Sequence, residues 1–242
     1  MGNISLRFKK HILVKFICCW LFVIANMAVV PTYAGSPEHG RLIAIIDDLM
    51  IDIPSGEFDF YGNTKQVDAF KLAKYEVTQE LYYLVMGNMH LYSFGDSLST
   101  PVNGISRQHI DEFIAELNVQ TGLSFRLPTE IEWSYAALGT ASSDGVFDST
   151  KVAEVGTRTP NGYGLYDMLG NVAEIVQEPW QEESRLSRQK PHIANDYQPG
   201  KTQKITIRGG SFAESASEVT PQSRDFLGTT TIMSDVGFRL AL

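Results

Sequence analysis

Between Asp167 and Glu174 the chain sets two carboxylates, the Asn171 amide and the carbonyls of a turn at Gly170 close together. Oxygen donors at that density suit calcium, which takes roughly six to eight oxygens in a flexible geometry. The same residues also read as scaffolding, with Glu174 capping backbone amides and Asn171 supporting a turn. A second set, Arg126, Glu130, Glu132, Arg208 and Arg239, has the types used in catalysis but no neighbouring nucleophile. A buried guanidinium needs carboxylate or carbonyl partners to offset its desolvation, so these charges are expected to tie segments together. Trp133, Tyr163, Tyr166 and Phe238 read as core packing. His39, His90, His109 and His192 lack the helical pair spacing of metal sites, so a three-histidine site from His90, His109 and His192 would have to be assembled by the fold. The chain has no Gly-rich phosphate loop and no Gly-x-Ser-x-Gly elbow.

Residues 1–34 read as a secretory signal peptide. Arg7, Lys9, Lys10 and Lys15 precede an apolar run from Phe16 to Val30, and small residues reach Ala34. The run is short for a membrane span of about 20 residues, so cleavage and a periplasmic or secreted product are expected, without a stable membrane span. The whole chain has 20 basic and 28 acidic residues; losing the leader's four basic residues leaves 16 against 28, a net charge of −12. Such a surface repels phosphate backbones, which argues against nucleic acid as a partner. Both cysteines, Cys18 and Cys19, lie in the leader, so the mature chain has neither thiol nor disulfide. Its length is enough to bury a core without covalent staples.

The elements that would position these residues alternate short helices with short strands. Leu42 to Ile53 reads as a strand running into Pro54-Ser55-Gly56, within a lead-in at 35–49 followed by one domain at 50–242. Glu57 to Phe60 alternates as a half-buried strand does, and Phe70 to Tyr75 is a third candidate. Thr78 caps a helix through Met86 that carries Leu81, Leu84 and Val85 and stops at Gly87. Ser106 caps the next, with Ile110, Phe113, Ile114 and Leu117 as its buried stripe before Gly122. Thr129 and Glu132 make a capping box for a helix ending at Gly139. Thr140 to Thr159 reads as loop with a brief strand at Val152 to Val155, and 178–204 as an exposed excursion. Ile205 to Arg208 and Val236 to Leu242 read as strands. The fold class is α+β with much irregular structure.

The ordered string Arg126-Leu127-Pro128-Thr129-Glu130, then 160–174 (PNGYGLYDMLGNVAE), Arg208-Gly209-Gly210-Ser211-Phe212 and Gly237-Phe238-Arg239-Leu240 resembles the formylglycine-generating enzyme, or sulfatase-modifying factor, family. The resemblance runs from about Met50 to the end. It implies a C-type-lectin-like fold with short twisted antiparallel sheets. It also implies a structural calcium held by the side chains of Asp167 and Glu174 and the carbonyls of Gly170 and Val172. A second family calcium site is expected to be lost, since Asp144, Asp148 and Glu154 do not reproduce its pattern. Family members place two copper-binding cysteines after the Arg-Gly-Gly-Ser motif; here those positions hold Glu214 and Val219. Carboxylate is too hard a ligand for copper(I) and valine coordinates nothing, so no copper is expected. Ala173, Ile175 and Arg107 stand where members usually carry tryptophan.

The expected function is therefore an exported non-catalytic member of the family, a pseudoenzyme acting as a binding or assembly module in the cell envelope. Its ligand would be an envelope protein or glycan, gripped by the loops at 87–100, 178–204 and 213–231. The alternative is an enzyme of the same fold that performs cysteine-independent, metal-assisted oxidation during maturation of a secreted product, with Glu214, Arg224, Asp225 and the histidines as candidates.

Overall fold

The computed structural model describes residues 35–139, 144–181 and 203–242. The leader at 1–34, His192 and most of the excursion at 178–204 lie outside the described residues. The unit from Ser36 to Leu242 is described here.

Helix α1, Pro37–Leu49, is where the sequence suggested a strand. Ser36 accepts from the His39 amide and Pro37 occupies the first turn, where its missing N–H costs nothing. Leu42, Ile46 and Leu49 then fall on one face and are buried. The dense run of Ile and Leu hid this spacing. Strand β1, Met50–Ile53, pairs antiparallel with β4, Phe70–Ala73, and between them β2, Gly56–Phe60, pairs with β3, Asn63–Val67.

The three capped helices form as the sequence indicates. In α2, Gln79–Met86, Thr78 accepts from the Leu81 amide and Gly87 closes the helix at φ +70°; Tyr82 joins Leu81 and Val85 in the core, while Leu84 is only partly buried. In α3, Arg107–Thr121, Ile110, Phe113 and Leu117 are buried and Ile114 packs against them. In α4, Glu130–Leu138, both arms of the Thr129–Glu132 capping box are present. Phe113 stacks on Tyr82 at 5.4 Å and meets Phe238 edge-on at 5.5 Å, which joins α2 and α3 to the C-terminal segment.

The main sheet has the order β7-β6-β5-β8. Its members are β5 (Ala173–Pro179), β6 (Lys204–Arg208), β7 (Arg224–Gly228) and β8 (Val236–Gly237). Only β5 and β8 are parallel neighbours; the other pairs are antiparallel. The strand expected over Val236 to Leu242 is regular for two residues and then makes separate contacts. Phe238 and Leu240 accept from the Val77 and Ala73 amides, Ala241 exchanges two bonds with Arg126, and Leu242 exchanges two with Lys71. No strand forms at Val152 to Val155; the nearest regular contact is a bridge from Val146 to Gly170. This is an α+β architecture of four helices and small sheets among the described residues. No helix among them is long and apolar enough to cross a membrane.

Candidate functional site

Glu174 lies in β5, with Arg208 of β6 opposite on one side and Gly237 of β8 on the other. This places its carboxylate in the core, 1% exposed, beside the fully buried Arg239. Arg239 Nε donates to both Glu174 oxygens at 2.8 and 2.7 Å, Nη2 donates to Oε1 at 2.6 Å, and Trp133 Nε1 donates to Oε2 at 2.7 Å. The remaining guanidinium hydrogens reach the carbonyls of Ala73 and Tyr166 at 3.1 and 3.0 Å. Burial alone would weaken the Arg239 charge, but Glu174, followed by Glu76 and Asp167, together more than offset it and raise the guanidinium's affinity for its proton.

Two more carboxylates adjoin this pair. Asp167 and Asn171 hold the left-handed backbone at φ +54°, a conformation that short polar side chains tolerate, and Gly170 between them has φ +81°. The turn aims Asp167 Oδ2 at the Gly156 amide, 2.7 Å away, and leaves Oδ1 buried and without a hydrogen-bond partner among the described residues. Glu76, which the sequence reading passed over, is 1% exposed, and neither of its carboxylate oxygens has a partner among the described residues. Burial, then the Asp167 charge, pushes the Glu76 carboxyl well above the usual carboxylate range; burial raises Asp167 as well.

The calcium ligands implied by the resemblance thus meet unequal surroundings. Glu174 is committed to Arg239 and Trp133, whereas Asp167 Oδ1 accepts nothing among the described residues. Gly170 is held by its amide to the Gly209 carbonyl, and Val172 packs with Val146, Val152 and Phe212. Asp144 Oδ2 accepts from the Thr159 amide, and Asp148 is held by its backbone amide to the Glu214 carbonyl. Glu154 offers its carbonyl to Thr157 Oγ1. Among the described residues no three His, Cys, Asp or Glu side chains converge as a metal cage would.

A second buried cluster lies next to the first, across β6 and β7. Glu130 accepts from Arg208 Nη1 at 2.8 Å and from Arg224 Nε and Nη2 at 2.5 and 3.0 Å. Arg208 and Arg224 also donate to the carbonyls of Pro221 and Gln181. Arg208 lies 5.0 Å from the Trp133 ring centre and Arg224 4.0 Å from that of Trp180, faces that favour cations. Arg126 makes a paired contact with Glu132 at 2.7 Å through each nitrogen. All five charges singled out in the sequence are therefore in structural pairs. Arg107 donates to the Val176 and Gln177 carbonyls and fastens α3 to β5.

The positions that would carry thiols hold structural residues. Glu214 Oε1 accepts from the Ser211 amide at 3.0 Å, closing the turn after Phe212, and Val219 is buried in the cluster around Trp133 and Met168. Ser211 Oγ donates to Asp235 Oδ2 at 3.0 Å. Beside this turn is a cavity of about 650 Å³ lined by Phe94, Asp96, Lys151, Val152, Phe212 and Ser234 among others. The loop at 87–100 forms one wall, and Met89, Leu91, Tyr92, Phe94 and Leu98 are all exposed on it, Leu91 by 90%. Asn103 anchors its base: its Oδ1 accepts from the Phe94 amide and its Nδ2 donates to the carbonyls of Phe94 and Ser234. His90, on the same loop, comes within 5.1 Å of His109, ring centre to ring centre. Nothing in the spacing of these two histidines foretold that contact.

Residues 46–242 match the model of the sulfatase-modifying factor enzyme 1-like domain. The chain is similar to variable protein 1 of Treponema denticola, with 27% identity and a TM-score of 0.64 over 79% of this chain and 94% of that one. PvdO from Pseudomonas aeruginosa shares the fold at 20% identity and a TM-score of 0.63, over 79% and 93% of the two chains. A stretch of 129 residues, 48% of this chain, is 30% identical to serine/threonine-protein kinase pkn1 of Chlamydia pneumoniae but spans only 20% of that relative. The chain belongs to the sulfatase-modifying factor enzyme 1-like family.

Proposed function

We propose that this family member is an exported, non-catalytic binding or assembly module of the cell envelope. The observation that carries this reading is the contrast on either side of the 650 Å³ cavity. On one side, the segment that holds copper thiolates in catalytic relatives is given over to a turn contact and core packing by Glu214 and Val219. On the other, half of the large apolar side chains exposed among the described residues are gathered between Met89 and Leu98. A cluster of this kind on a rigid scaffold is the usual mark of an interaction surface. The partner is an envelope protein or glycan, and the acidic balance of the chain disfavours nucleic acid.

The test is crosslinking in envelope fractions with the mature protein and with Leu91→Ser and Phe94→Ser variants. The variants are expected to lose the crosslinked product at an unchanged melting temperature; retention of the product by both would sink the loop assignment. A cysteine-containing sulfatase peptide incubated with the protein, copper and oxygen is expected to remain unmodified. The alternative of metal-assisted oxidation draws support from the approach of His90 to His109. Stoichiometric iron or copper in protein purified without added metal would favour it.

A further inference from the structure

A cavity of about 710 Å³ lies between helix α3 and the strand ends of the main sheet. The backbone assembles its far wall. Pro179 at the end of β5 lies opposite Ile205 of β6, and the Thr229 amide, just past β7, donates to the Gln203 carbonyl at 3.0 Å. Two of the three loops expected to grip a ligand, 178–204 and 213–231, therefore contribute to this cavity through Pro179, Gln203, Thr229 and Thr230. The apolar loop at 87–100 has no part in its lining.

The two walls differ in what they leave for a ligand. On α3, Arg107 donates to Asp111 at 2.9 Å and Gln108 donates to Glu112 at 2.9 Å, and Arg107 also serves the Val176 and Gln177 carbonyls. The cation of this lining is thus engaged, and Asp111 and Glu112 outnumber it. Across the cavity, Gln177, Gln203, Thr229 and Thr230 make no side-chain hydrogen bond among the described residues. Amides and hydroxyls both donate and accept, so this wall offers each kind of contact. Ala115, Pro179 and Ile205 add apolar surface, yet none of the large apolar side chains exposed among the described residues lines the cavity.

We infer that this cavity binds a neutral oligosaccharide. Its volume falls in the range of small-ligand sites, roughly 300–1,000 Å³. Sugar hydroxyls donate and accept at once, as do the four side chains of the far wall, and the C–H faces of a sugar ring can rest on Ala115, Pro179 and Ile205. A phosphate or sulfate group would instead meet Asp111 and Glu112 with Arg107 already engaged. A protein partner would miss the large apolar anchors that carry most of the energy of a protein interface, and half of those exposed are gathered between Met89 and Leu98. The inference rests on the reading of the chain as a binding module, but not on that loop.

The experiment is a screen of the purified protein against a printed array of neutral and sulfated glycans, followed by calorimetric titration with the best neutral oligosaccharide. Binding at one equivalent per chain is expected, with little dependence on salt and no signal from sulfated glycans. A double variant, Gln177→Ala with Thr229→Val, should weaken binding by about tenfold or more at an unchanged melting temperature, since Gln177 is exposed and Thr229 partly so. Leu91→Ser should bind the sugar as the parent does, which separates this cavity from the loop. The inference is overturned if no neutral glycan binds, if the double variant binds as tightly as the parent, or if sulfated glycans or a tetra-alanine peptide bind better than every neutral one. A blank array beside an envelope crosslink that the loop variants abolish would sink this site alone and leave the binding module standing.

Discussion

The two buried charge clusters solve opposite problems. Around Glu130 there are two guanidiniums for one carboxylate, and the surplus positive charge is spread over the Pro221 and Gln181 carbonyls and the faces of Trp133 and Trp180. Around Arg239 the surplus is negative, and backbone carbonyls and aromatic faces, the materials that serve the first cluster, repel carboxylates. An excess of arginine can be absorbed by an ordinary protein interior. An excess of carboxylate needs donors, protons or a cation.

Removing Arg239 should break this contrast most severely. Arg239→Met leaves Glu174 unpaired next to Glu76 and Asp167, and a loss of about 3–5 kcal/mol is expected in denaturant unfolding. If that variant does not accumulate, Glu174→Gln, which keeps an acceptor for Trp133, gives the smaller readout. Glu130→Gln should cost less, about 1.5–3 kcal/mol, because carbonyls and aromatic faces still serve both arginines. A loss at Glu130 as large as that at Arg239 would show that the two clusters are not opposites. Thr129→Ala removes the capping hydroxyl next to Glu130 and is expected to cost about 1 kcal/mol. The smallest effect concerns the loop wall, outside both clusters. Burial lowers the His90 pKa below its ordinary 6.5, the Gly104 carbonyl contact partly opposes this, and His109 lowers it further. The unfolded chain therefore takes up its proton first as pH falls. The stabilising contribution is full above 6.5 and is lost as pH drops through the lowered folded value. A modest fall in melting temperature below pH 6.5 is expected, and His90→Gln should flatten it.

Much of the helical framework was legible because caps announce themselves locally. Thr78, Ser106 and Thr129, with Gly87, Gly122 and Gly139, bracket α2, α3 and α4 within a few residues of chain. Helix α1 was misread because the five positions from Leu42 to Ile46 are all apolar, which blurs the difference between periods of two and 3.6. Strand β5 was missed for a related reason: it is buried on both faces over Ala173 to Val176 and shows no alternation. The need of the arginines for partners was readable, but their pairing was not, since Glu130 meets Arg208 and Arg224 from 78 and 94 residues away. Glu76 gave no local signal at all. Its importance comes from lacking neighbours that only the fold could have supplied.

The antiparallel seam between the last residues and the earliest strands has a temporal consequence. Leu242 and Leu240 bond to Lys71 and Ala73, and Phe238 to Val77, across more than half the chain, and Ala241 bonds to Arg126 across nearly half. Contacts of such sequence separation form late, because loop closure must precede their reward. A growing polypeptide therefore cannot seal its core until Arg239 and the residues after it are available, and a chain cut short by a few residues would remain open at the edge of β4. Emergence of the segment from Phe238 to Leu242, rather than any early helix, sets the moment at which this domain can close its core.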